Sequence, residues 1–124
     1  MIEPDNFEIA EEHAAFRPTG QVTIEQAIQL VADGIASAKQ RGICKLMVNI
    51  CGLTGFESPP IGLRYFFVRE WAQIACGTMC IAMVAPQEII DPQKFGITAA
   101  ANAGLTANVF TSEQEAFDWL QSIA

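Results

Sequence analysis

A chain of 124 residues with 51% hydrophobic and 17% charged residues has the apolar content for one buried core and too little charge for a disordered segment. Its formal net charge of −7 repels polyanions, which argues against nucleic acid and anionic membranes as partners. No apolar run approaches the ~20 residues of a membrane span, and the opening residues lack a charged-then-apolar signal pattern, so one cytoplasmic domain over 1–124 is the expectation.

Phe7 and Ile9 alternate with Glu8 and Ala10, a short strand signal, and Ala14–Arg17 returns after a turn at Glu11–His13. Thr23 and Gln26 form a capping box, and Ile24, Ala27, Ile28, Val31, Ile35 and Ala38 follow helical spacing to a left-handed stop at Gly42. Lys45–Ile50 is apolar on both faces except at Lys45 and Asn49, the pattern of a central parallel strand covered by helices. The loop Cys51–Pro60 follows, then a helix from Ile61 to about Cys76. Met79–Val84 is a second apolar strand. Asp91-Pro92 opens a helix that Gly104 ends. Thr106–Phe110 is a short strand, and Ser112 caps a last helix whose inner face is Ala116, Phe117, Leu120 and Ile123. The order β-β-α-β-α-β-α-β-α predicts an α/β fold: a single mixed, mostly parallel sheet of about five strands with four helices.

Cysteines stand at 44, 51, 76 and 80, without a Cys-x-x-Cys pair, and His13 is the one histidine. That spacing fits neither a zinc site nor a redox motif, so no metal and no cofactor are expected. Cys44 and Cys80 read as reduced thiols in or beside buried strands. Cys51 ends a strand but has no base near it in sequence, so it reads as structural rather than nucleophilic. Glu113 and Glu115 read as solvated carboxylates at a helix start. The chain is expected not to be an enzyme.

Three phrases carry a family resemblance: Thr19-Gly20-x-Val22-Thr23-x-Glu25; the strand Leu46-Met47-Val48-Asn49-Ile50 with its loop; and Val109-Phe110 followed by Ala116-x-x-Trp119-Leu120. Together they cover nearly the whole chain and resemble the STAS superfamily, in particular the single-domain bacterial proteins like anti-sigma-factor antagonists, in the group shared with CRAL-TRIO domains. The resemblance implies a STAS-like fold and a regulatory protein partner. It also implies a kinase-modified hydroxyl in an Asp-Ser-x-Gly type motif after the central strand. Here Ser58 is the matching hydroxyl and Glu57 stands where Asp is usual. Pro59 and Pro60 intrude before Gly62, and Asn49 replaces the usual Asp at the strand end.

Ser58 therefore has two readings, a helix cap or a phosphosite. On the following helix, Leu63, Phe67, Val68, Trp71, Ile74 and Ala75 share one arc that includes Arg64, whereas Phe66 lies on the polar side. An aromatic there marks an interface. The candidate partner-binding residues are Thr54, Glu57, Ser58, Arg64, Tyr65, Phe66 and Arg69, in a homodimer or with a regulatory protein. The alternative is a carrier or sensor of a small apolar or lipid-like molecule, with Phe67, Met79, Met83 and Phe95 lining its pocket.

Overall fold

The computed structural model describes residues 7–9, 13–57, 59–77, 79–90 and 100–123. Seven strands and three helices are described in full. They are β1 (Phe7–Ile9), β2 (Ala14–Phe16), β3 (Gly20–Gln21), α1 (Ile24–Gln40), β4 (Lys45–Asn49), β5 (Leu53–Thr54), α2 (Ile61–Ala75), β6 (Cys80–Val84), β7 (Thr106–Phe110) and α3 (Glu113–Ser122). The helix start at Asp91-Pro92 lies outside the described residues. Residues 100–102 are helical, and Gly104 stops them at φ +85.

The main sheet runs β1-β2-β4-β6-β7. Only the β1–β2 pair is antiparallel, so the sheet is mixed and mostly parallel. Its register sorts the two faces by alternation. Ala14, Phe16, Leu46, Val48 and Ile81 face α1 and α2, while Ala15, Met47, Ala82 and Val84 face Ala116 and Leu120 of α3. Three of those six residues are alanines, which lets α3 lie close to the strands. Phe16, Ile35, Leu46, Met47, Val48, Val84 and Leu120 are the largest fully buried side chains among the described residues, each worth about 1.5–3 kcal/mol of burial.

Helix α1 begins as its sequence predicts, with the Thr23 hydroxyl accepting from the Gln26 N–H and the Gln26 side chain accepting from the Thr23 N–H. Gly42 closes it at φ +75. Gly34, inside α1, sits over the Phe16 ring; a Cβ there would stand 2.6 Å from a ring carbon, so the aromatic occupies the space a side chain would need. The indole N–H of Trp71 on α2 donates to the Ile28 carbonyl of α1 and links the two helices.

Beside the main sheet lies a parallel ladder that hydrophobic periodicity does not predict. Gly20 pairs with Leu53 and Gln21 with Thr54. The Gly20 N–H donates to Gly52 and the Val22 N–H to Thr54, at 3.1 and 2.8 Å. The loop after β4 is therefore seated on the segment that leads into α1.

Candidate functional site

Two features stand out, a polar cluster at the carboxyl end of the sheet and an apolar cavity behind α2. The cluster is built around Glu113, the first residue of α3. Arg17 donates to both of its carboxylate oxygens, at 2.8 and 3.0 Å, and Asn49 donates to one of them at 2.6 Å. The Asn49 side-chain oxygen accepts from the Cys51 N–H at 2.9 Å, and Arg17 also pairs with Glu8. The Arg17 guanidinium, aided by Asn49, holds the Glu113 carboxyl below the usual carboxylate range, and Glu113 in turn raises the arginine. Glu113 is thus a half-buried, doubly held carboxylate rather than the solvated charge its sequence position suggests. Glu115 does stay exposed, with its N–H donating to the Ser112 hydroxyl.

Cys51 is the one thiol near this cluster. Partial burial, with the carboxylates of Glu113 and Glu88, pushes it up from its ordinary value, the reverse of what activates a nucleophile. His13 lies against the Phe117 ring on the α3 side. All four cysteines are free; Cys44 stands exposed just before β4, and Cys80 is half-buried in β6. Lys45, at the start of β4, donates to the Ile123 carbonyl.

The loop glycines serve close approach. At Gly52 a Cβ would stand 2.8 Å from Thr19, and at Gly55, with φ +101, only 2.5 Å from the Val22 carbonyl oxygen. Thr54 and Glu57 project from this loop into solvent. Ser58 lies outside the described residues. Helix α2 takes Pro60 as its N-cap with no side-chain cap bond, since proline has neither hydroxyl nor N–H to offer.

On α2 the outward stripe is Gly62, Tyr65, Phe66, Arg69, Glu70 and Gln73. The Arg69 guanidinium sits 5.5 Å over the Tyr65 ring, a cation–π contact. Arg64 stands apart from this stripe. Its guanidinium is partly buried and donates to the Pro59 carbonyl at 3.0 Å and the Ile89 carbonyl at 2.8 Å.

Behind α2 is a cavity of about 130 Å3, walled by α1, α2, β6, β7 and the turn after β6. Phe67 and Met83 are on its wall. Met79 is buried in the core without reaching the lining, and Phe95 lies outside the described residues. Arg64 is the one charged residue among the described residues of the wall. Sequence reasoning did not single out Arg17 or Glu113 for the cluster, nor Ile28, Ile81, Ile89 or Ala107 for the cavity. Helical spacing alone marks Ile28 as inward-facing, but nothing in the sequence marks a void beside it.

Among the described residues, no helix is long and apolar enough to cross a membrane. No family model matches the chain, and no curated protein matches it. Among solved structures, the chain is similar to the anti-sigma factor antagonist SpoIIAA in its unphosphorylated form, with 20% identity and a TM-score of 0.48 over 94% of this chain and 97% of that one.

Proposed function

We propose that this chain is a non-enzymatic, cytoplasmic binding domain that holds a regulatory protein, or a second copy of itself, against the α2 stripe and the neighbouring 51–60 loop. One observation carries the reading. Among the described residues the exposed large hydrophobics are Ile9, Tyr65 and Phe66, and the last two are neighbours on α2, 45% and 60% exposed. Adjacent aromatics beside an arginine have the composition of an interface anchor. Arg69 next to Glu70 also gives the stripe both charges, which a two-fold partner would meet in reverse order. In this reading Thr54 and Glu57 form the rim, and phosphorylation of Ser58 would add charge beside the interface.

Native mass spectrometry and light scattering of the wild type and of Tyr65→Ala/Phe66→Ala test it. Association, or co-purification of a stoichiometric protein, is expected in the wild type and not in the variant, with circular dichroism unchanged. Equal association in both discards the α2 stripe as the anchor. Phosphate on Ser58 is read from intact mass in the same experiment.

The cavity favours a second reading, a carrier or sensor of a small apolar molecule, because its wall is almost wholly apolar.

A further inference from the structure

From the size and lining of this cavity we infer that the guest is a neutral, compact apolar molecule of about the size of benzene, held behind α2. This rests on the carrier-or-sensor reading and narrows it, since a long acyl chain does not fit. The volume is about 130 Å3. Pockets for drug-sized ligands span roughly 300–1,000 Å3, whereas a dry cavity of roughly 150 Å3 lined by aliphatic and aromatic side chains takes up benzene. Atoms around such a void lack dispersion partners on one side, and a guest of matching shape restores them.

The lining also selects for charge. Arg64 is the one charged residue of the described wall, and its guanidinium is engaged by the carbonyls of Pro59 and Ile89. The rest of the described wall is apolar but for Asn108, so an ion entering it would lose its hydration without replacement. Pro59 and Ile89 themselves line the cavity, one from the loop before α2 and the other from the turn after β6. The arginine therefore joins two parts of the wall that lie far apart in sequence.

The test is a titration of benzene, indole and octanoate into the full chain, followed by methyl NMR. Benzene or indole is expected to give saturable shifts at the methyls of Ile28, Ile81 and Ile89, and octanoate none there. Ala107→Ile, which fills the cavity from β7 opposite Ile81, is expected to weaken benzene binding at least tenfold. Asp118→Ala, exposed on α3 and outside the cavity wall, is expected to leave it unchanged. Should Ala107→Ile fail to fold, Ala27→Leu fills the same space from α1 and carries the same reading. Benzene shifts confined to other methyls, or unaltered in the filled variant, overturn the site. Octanoate binding without benzene or indole overturns the size assignment but keeps a carrier of longer molecules. Absence of all three overturns both.

Discussion

Replacing Gly55 by alanine probes whether backbone contact seats the loop that follows β4. At φ +101 an L residue is strained, and the new Cβ would stand 2.5 Å from the Val22 carbonyl oxygen and 3.2 Å from its nitrogen. Strain in that region costs about 1–3 kcal/mol. Relieving the clash parts the β3–β5 ladder and gives up the 2.8 Å bond from the Val22 N–H to Thr54, about 1 kcal/mol more. The sum is about 2–4 kcal/mol, which in a domain of this size lowers Tm by roughly 10 °C. Gly20→Ala is the matched control. Its φ is +127, but nothing lies within 4 Å of the added carbon, so it reports strain without collision. Urea unfolding followed by the fluorescence of Trp71 and Trp119 measures both. Gly55→Ala is expected to cost about 1 kcal/mol more than the control, the value of the lost ladder bond. A cost no greater than that of Gly20→Ala would refute the view that the loop is held by close approach to Val22.

Glu113→Gln sets an amide where the carboxylate receives Arg17 and Asn49, and is expected to destabilise by about 1–2 kcal/mol at pH 7, discounted for partial exposure. Because the folded-state value of Glu113 is depressed, its contribution is full above the unfolded value near ~4.3 and is lost as pH falls through the folded one. The gap between wild type and variant in urea titrations should therefore hold at neutral pH and close in acid. Gly34→Ala places a carbon 2.6 Å from the Phe16 ring and is expected to cost about 1–2 kcal/mol despite alanine's better helix propensity; adding Phe16→Leu should recover part of the loss, read by the same unfolding assay. Gly62→Ala, in open space on the first turn of α2, should raise stability by about 0.5 kcal/mol, seen as a small increase in Tm.

The parts of the fold governed by local pattern were legible in the sequence. The unbroken apolar runs around Met47 and Ala82 declare buried strands, and the Thr23–Gln26 box marks the start of α1 to the residue. Which residues of Ala14–Phe16 and of β4 face α3 was not legible, because both segments are apolar on both faces. The site was less legible because its parts are joined by distance rather than by spacing. Arg17 meets Glu113 across 96 positions, and neither residue belongs to a motif. The β3–β5 ladder has two residues on each side, too few to show a period. Gly34 reads in sequence as a weak point of a helix, and only the position of Phe16 explains it. The cavity is a shortfall in packing, and no arrangement of apolar letters distinguishes a filled core from one that lacks a few carbons.

The bonds from Asn49 to Glu113 and from Lys45 to Ile123 join the two ends of a single strand to the two ends of a single helix. Four steps along β4 span roughly 13 Å, and ten steps along α3 rise roughly 15 Å. The strand thus acts as a ruler for the helix lying against it. An insertion or deletion of one residue within 113–122 rotates and lengthens or shortens α3 relative to that ruler, so one of the two fastenings must be given up, even where every inward-facing side chain is kept.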